Sequence, residues 1–331
     1  MSRAATGVPG PLAFALLRQL ADGRFHSGEA MARRFGMSRA SVHNAMHEII
    51  GHGVTVHRVR GRGYRLARPL HWLDMGQIEA ELGAARDGLQ IEILEHAGSS
   101  NALLLQRAAH GAPGGSVLAV EWQSAGRGRM GRTWHAALGD ALTFSVLWRF
   151  ERGLSGLSGL SLAVGVAVMR ALRELGVHDA GLKWPNDVLL PQGKLAGILI
   201  EAQGEMLGPS AVVVGVGLNL APPPEAARLD QPAADLLACG VPLEQRSRVL
   251  GMTLKHLSMV LRQFAASGFA PFREEWEQAH QFRQRPVALR MPDGTVVEGI
   301  ALGVTQEGAL RVETAGGVRE FHSGEVSLRG R

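Results

Sequence analysis

"AGRGRMGRTWH" occupies residues 125–135, and from Gly126 to Gly131 it has the spacing G-x-G-x-x-G. That pattern binds a dinucleotide pyrophosphate when it follows a strand and opens a helix, whose first amides receive the anion. The preceding half fits, because "SVLAVEW" (Ser116–Trp122) is apolar and β-branched. The following half does not. "TWHAALGD" carries a turn signal at Gly139-Asp140 and leads into "ALTFSVLW", rich in strand formers. A strand–loop–strand context argues against a doubly wound dinucleotide fold. It leaves a mobile glycine loop whose arginines, Arg127, Arg129 and Arg132, grip some other anion.

Working outward, 331 residues allow two or three domains, and 46% apolar residues supply ordinary cores. There is no signal-peptide pattern and no unbroken run of eighteen apolar residues, so a cytoplasmic protein without a membrane partner is expected. The single cysteine, Cys239, excludes an intramolecular disulfide framework and a thiolate zinc site. The 13 histidines lack ligand spacing, so no structural metal is expected. Cations are unevenly placed. Residues 1–70 hold eleven Lys+Arg against three Asp+Glu, whereas the whole chain is only +5. Such a basic segment suits a polyanion. The chain has only three lysines, Lys183, Lys194 and Lys255, among 35 Lys+Arg. Two of them lie close together, which points to work for a compact ammonium that a planar guanidinium cannot do.

The basic segment reads as a winged helix-turn-helix. "PLAFALLRQLADG" is a short amphipathic helix; "HSGEAMARRFG" follows with Ser27 as N-cap and Gly36 as stop. "MSRASVHNAMHEIIGHG" starts at a second cap, Ser38, and is the candidate recognition helix, presenting Arg39, Ser41, His43 and Asn44 near its start. "VTVHRVRGRGYRLARP" then alternates around a tight turn. It is a hairpin wing carrying Arg58, Arg60, Arg62 and Arg65 towards phosphates, and Pro69 ends the unit.

The central stretch alternates strands and helices. "QIEILEHAG" is a strand and "SSNALLLQRAAHG" a helix capped by Ser99. "GLSGLSGLS" (Gly153–Ser161) lacks the G-K-[ST] ending of a phosphate loop and reads as a linker into a small-residue helix. In "LKWPNDVLLPQGKLAGILIEAQG", Pro185 makes Trp184 extended, Asn186-Asp187 turns the chain, and two strands follow. Lys183 and Asp187 flank that turn, Lys194 opens the next strand, and "AVVVGVGLNLAPPP" is a buried strand ending at Asn219. These groups suit attack of a carboxylate on the α-phosphate of ATP. Two anions about 4 Å apart repel by about 4 kcal/mol at an effective dielectric of about 20. Arginines can clamp both, an ammonium can sit between them, and an Asn-Asp turn can hold Mg2+ or orient the lysine. Residues Arg127 and Arg129, two apart, would point the same way on an extended backbone. Helices at Leu243–Gly268 and Phe269–His280 precede short alternating runs with Asp-Gly and Gly-Gly turns, which read as a small all-β barrel.

The motifs carry a resemblance. "GRGRMGR" resembles the glycine-arginine loop of biotin protein ligases, "KWPND" with "KLAGILIE" is similar to that family's second signature, and "SSN" at 99–101 to its first biotin contact. "FHSGE", "GMSR" and "GRGY" look like the DNA-binding unit of the bifunctional subclass, the biotin operon repressors. The implied fold is α+β: a winged helix-turn-helix over 1–68, a central mixed α/β catalytic domain of the biotin/lipoate ligase type over 69–283, and an SH3-like β-barrel over 284–331. The implied activity joins biotin to ATP, giving biotinyl-5′-AMP, and transfers biotin to a lysine of the biotin carboxyl carrier protein of acetyl-CoA carboxylase. The adenylate also acts as corepressor, favouring a homodimer on operator DNA of biotin genes.

The same resemblance implies roles. Ser99, Ser100, Asn101 and Gln123 line the biotin pocket, and Arg127, Gly128 and Arg129 close over biotin and its adenylate. Lys194 meets the reacting carboxylate and phosphate. Lys183, Asn186 and Asp187 serve the nucleotide with Mg2+, alongside Arg129 and Arg132, with Trp134 and Asn219 near adenine. Ser38 joins the DNA-contacting set. Two positions depart from the family pattern: Ser100 replaces a common threonine, and Met130 a common third loop arginine. Alternatives are a biotin-sensing regulator without transfer, a ligase with a vestigial DNA-binding domain, and a lipoate-type ligase.

Overall fold

The computed structural model describes residues 9–223, 231–291, 293–322 and 327–330. Three short helices come first: α1 (Pro11–Leu20), α2 (Gly28–Arg34) and α3 (Arg39–Gly51). Proline at N1 starts α1; the Ser27 hydroxyl accepts from the Ala30 amide and the Ser38 hydroxyl from the Ser41 amide, capping α2 and α3 as the sequence indicates. Strands β1 (Val56–Val59) and β2 (Gly63–Leu66) form the expected antiparallel wing. Their core is Phe14, Leu16, Leu17, Leu20, Met31, Met46, Ile49, Tyr64 and Leu66.

The central body is built on a seven-stranded sheet. Its strands are β3 (Gln90–Ala97), β4 (Ser116–Gln123), β5 (Ala141–Phe150), β6 (Gly181–Lys183), β7 (Asp187–Leu190), β8 (Gly193–Gly204) and β9 (Ser210–Asn219). The order is β3-β4-β5-β9-β8-β7-β6, with β3 and β4 parallel and every other neighbour antiparallel. Strands β4 and β9 are apolar on both faces because helices cover both. On one side Val117, Ala119, Phe144 and Val214 pack against α4 (Met75–Leu82), α6 (Leu160–Glu174) and α7 (Arg246–Ser267). On the other, Leu118, Val120, Leu147 and Val213 pack against Leu104 and Ala108 of α5 (Ser100–Ala109). With the turn before it, α6 is long and apolar enough to cross a membrane by length and composition. Its residues Leu160 to Leu172 are almost all buried between sheet and α7, the setting of a core helix.

Helix α8 (Arg273–Ala279) leads to β10 (Pro286–Arg290), β11 (Val296–Val304), β12 (Leu310–Thr314), β13 (Gly317–Phe321) and β14 (Ser327–Gly330). These pair antiparallel in the order β13-β12-β11-β10-β14, so the small all-β unit is an antiparallel sheet with β13 and β14 at its edges. Val287, Leu289, Ala301, Leu310 and Phe321 extend the central core into it. The indole of Trp184 donates to the Gly308 carbonyl at 3.1 Å, tying the KWPND turn to this sheet.

Tertiary contacts lock the first unit to the second. Arg246 and Glu121 form a fully buried ion pair. Arg246 also donates to the His71 carbonyl at 2.7 Å, and Glu121 accepts from the Leu73 amide at 2.6 Å. The pair therefore anchors the connecting segment to β4. Arg18 reaches Glu95 at 2.7 Å and stacks on Trp72, while Arg68 pairs with Asp140.

Candidate active site

A cavity of about 360 Å³ opens beneath the loop quoted first, at the end of α5 and over β8 and β9. Every residue expected to bind biotin or ATP lines it: Ser99, Ser100, Asn101, Gln123, Arg127, Gly128, Arg129, Arg132, Trp134, Lys183, Asn186, Asp187, Lys194 and Asn219. Small residues make the room. A Cβ on Gly215 would sit 2.1 Å from Asn101 Oδ1, and one on Gly217 would sit 2.4 Å from the Trp134 ring.

One end of the cavity is a neutral polar floor. Ser99 caps α5 by accepting from the Ala102 amide, and the Ser100 amide donates to Gln123 Oε1 at 2.6 Å. The Ser145 hydroxyl, from β5, lies 2.7 Å from Ser100 Oγ and 2.5 Å from Asn101 Oδ1. Having one proton, it donates to one of them at a time. Asn101 donates to the Leu199 carbonyl at 3.2 Å and to Glu201 Oε2 at 3.0 Å. Both its amide protons are thus committed to protein, so Asn101 braces the floor of the cavity it lines. Sequence reasoning missed Ser145 and Glu201. A serine inside the apolar run "TFSVLW" and the carboxylate closing "KLAGILIE" were the available signals.

The loop is a small closed hairpin. Arg127 bridges Thr133, the Gly128 amide donates to the Arg132 carbonyl at 2.7 Å, and the Trp134 amide to Gly126 at 2.9 Å. Residues Arg129–Gly131 make a tight turn in which Met130 takes a left-handed φ of 56° and stands exposed. That turn corrects the expectation that Arg127 and Arg129 act side by side. Arg127 pairs with Glu201 at 2.8 Å, whereas Arg129 donates to Asn186 Oδ1 at 3.0 Å on another wall. Burial pulls the Arg129 guanidinium below its usual value, partly offset by Asp187.

The other end is cationic. Lys183 and Asp187 face each other across β6 and β7, with their charged atoms 4.0 Å apart, and Lys194 reaches the other Asp187 oxygen at 2.6 Å. Asn186 is held by donating to the Ile198 carbonyl at 2.8 Å. Asn219, expected near adenine, spends its amide on the carbonyls of Lys194 and Ala234, at 3.2 and 3.0 Å, and so fixes the Lys194 backbone. The Trp134 indole lies against Gly197 and Gly217 with the Lys194 ammonium 5.8 Å from its ring centre. Asp187 has both oxygens turned to lysines, and among the described residues no group of three or more His, Cys, Asp or Glu could hold a metal. The described residues therefore do not by themselves form a resident metal site.

The second candidate surface lies on the winged helix. Ser38, Arg39 and Asn44 are exposed at the start of α3, as are Arg58, Arg60 and Arg62 on the wing. Ser41 and His43 are half-buried: Ser41 shares its hydroxyl with Ser38 at 2.9 Å, and His43 meets the Tyr64 hydroxyl at 3.3 Å. Arg62 and Arg65 both stack on Phe25, so Arg65 is less available than its position in the wing suggests.

The sequence model of the Biotin/lipoate A/B protein ligase family matches residues 98–219, that of the Biotin protein ligase C terminal domain residues 285–329, and an HTH domain residues 13–65. The Bifunctional ligase/repressor BirA of Escherichia coli (strain K12) is 37% identical over 315 residues, covering 95% of this chain and 96% of that protein. The Biotin--[acetyl-CoA-carboxylase] ligase of Mycobacterium tuberculosis is 36% identical over 74% of this chain and 91% of its own length. The structure of biotin protein ligase from Aquifex aeolicus in complex with biotin and ATP superposes with a TM-score of 0.64 at 28% identity, covering 73% of this chain and 99% of that one.

Proposed function

This chain belongs to the biotin protein ligase family, and on that premise we propose that it activates biotin with ATP and passes it to a protein lysine. The biotin carboxylate attacks the α-phosphorus, forming the acyl–phosphate bond as pyrophosphate leaves. The acceptor lysine, as the free amine, then attacks the acyl carbon, and AMP departs with the electron pair of the broken bond. One observation carries this reading: Arg129, Lys183, Lys194 and the carboxylate of Asp187 converge at one end of a cavity whose other end is neutral and polar. Two anionic reactants must meet at the first end, and a neutral cyclic urea suits the second.

In this reading Ser99, Ser100, Asn101 and Gln123 shape the biotin end, and Arg127 with Gly128 closes it. Lys194 meets the carboxylate and the α-phosphate, and Arg129 and Arg132 face the adenylate. Lys183, Asn186 and Asp187 serve the nucleotide, with Trp134 and Asn219 flanking it. Magnesium enters on the triphosphate, as Mg2+ usually binds through phosphates and only one or two carboxylates. Asp187, whose oxygens now face Lys183 and Lys194, would be a carboxylate to contact it. The acceptor is the biotin carboxyl carrier protein, and the reaction belongs in the cytoplasm, where ATP and biosynthetic carriers occur together. Residues 1–68 make the chain a biotin-responsive repressor too: the adenylate favours a homodimer that presents two wings to operator DNA. Residues 69–283 carry catalysis, and residues 284–331 complete the nucleotide side.

Two assays test the two halves. Labelled biotin and ATP should label a carrier domain, and failure to label it would sink the ligase reading. Retardation of operator-like DNA should rise when biotin and ATP are added together, and indifference to them would remove the repressor.

A further inference from the structure

We propose that Glu201 is the positioning residue of the biotin end, holding floor and lid together while cancelling the charge of Arg127 there. The inference rests on the biotin-ligase reading above and deepens it. Glu201 lies near the end of β8, with its side chain mostly buried. Its Oε2 accepts from Asn101 at 3.0 Å, and its Oε1 meets Arg127 Nη2 at 2.8 Å. Asn101 belongs to the floor, through Ser145 and the first turn of α5. Arg127 belongs to the lid, at the base of the Gly126–His135 hairpin. Among the described residues no other side chain joins Asn101 to Arg127.

Electrostatics gives the bridge its purpose. At the nucleotide end Arg129, Lys183 and Lys194 gather, cations suited to a carboxylate and a triphosphate. An unpaired Arg127 beside the ureido ring would gain nothing from a neutral ligand and would need solvation inside a pocket that must close. Pairing Arg127 with Glu201 leaves that end electroneutral and uses the ion pair as a latch. Two contacts from one carboxylate also restrict the Asn101 amide, so that its oxygen stays turned to Ser145. The loop arginines thereby divide their work: Arg127 secures the lid, and Arg129 faces the reacting groups.

The division predicts a split in kinetics that a merely structural role would not produce. In Glu201→Gln, the KM for biotin should rise about tenfold, equivalent to ~1.4 kcal/mol. Release of preformed biotinyl-5′-AMP should quicken by a similar factor, whereas kcat and the KM for ATP should move by less than about twofold. Arg127→Gln should reproduce the change, and the double variant should be no worse than either single, because each removes the same pair. Thermal melting checks that the variants fold. Should Glu201→Gln not fold, Arg127→Gln, altered on the half-exposed lid side, supplies the same kinetic measurement. A fall in kcat with biotin KM unmoved, a parallel rise in ATP KM, or additive single effects would overturn the proposal. Wild-type protein assayed alongside separates the two claims. If it forms no biotin adenylate the ligase reading fails; if it does and the variants show no split, only the role of Glu201 fails.

Discussion

Lys194 shows how much one residue type can decide. Its ammonium lies 2.6 Å from Asp187, and its backbone is fixed from both sides by Pro232 and Asn219. Such a preorganised point charge needs little rearrangement when negative charge develops beside it. Lys194→Met should lower the rate of biotin-dependent pyrophosphate exchange by about 10²–10³. Lys194→Arg should fail to restore it, since the broad guanidinium cannot occupy the same small site. Ser145 acts through packing instead. Ser145→Ala leaves the buried Asn101 oxygen without its donor, which should cost about 1–3 kcal/mol and lower the melting temperature. At this scale the residue types of the site are legible in the sequence, because an adenylating site needs arginines and lysines of unlike shape. The partners of Arg127 and Asn101 are not legible, since Glu201 lies about a hundred positions from Asn101 in the chain.

Among elements, the helix caps and the wing can be read locally, because caps join residues three apart and the wing pairs residues four to ten apart, from Val59 with Gly63 to Val56 with Leu66. Ser27, Ser38 and Ser99 all cap as their sequence positions indicate. The joins between elements depend on distant pairs. Glu121 on β4 and Arg246 at the start of α7 are both almost wholly excluded from solvent. Arg246→Met should destabilise the protein by about 3–5 kcal/mol by stranding the Glu121 charge, and Glu121→Leu on top of it should recover part of that loss in chemical denaturation. His280 closes α8 against β6 beside the Trp276 ring, and burial with nearby Arg283 pushes its imidazole down to about 4. The unfolded chain binds that proton near pH 6.5 and the folded one only near 4, so this contribution is present above about 6.5 and lost as pH falls towards 4. Up to about 3 kcal/mol is at stake. His280→Phe should flatten the melting temperature over that interval, and an unchanged pH profile would remove this account.

Across the whole molecule, the exposed wing arginines and the cavity lie on separate surfaces, and the Glu121–Arg246 pair holds the segment that follows the wing. Arg58 and Arg60 are exposed on the wing and take no part in the cavity. Replacing both with alanine should reduce the slope of log affinity for DNA against log salt by about 2. Biotin adenylation should stay within about twofold of wild type, so a comparable loss in both assays would show that the surfaces are not separate.

By itself the sequence determined the composition of this protein: a basic winged helix, a strand–loop–strand arginine loop, a KWPND turn and a terminal run of short strands. Each of those signals is carried by residues near one another along the chain. Only the tertiary structure decided that β9 inserts between β5 and β8, which brings Asn101, Glu201 and Arg127 to one end of a cavity and Lys183, Asp187 and Lys194 to the other. Strand order and charge pairing depend on which distant surfaces exclude water together, and no local pattern encodes that choice.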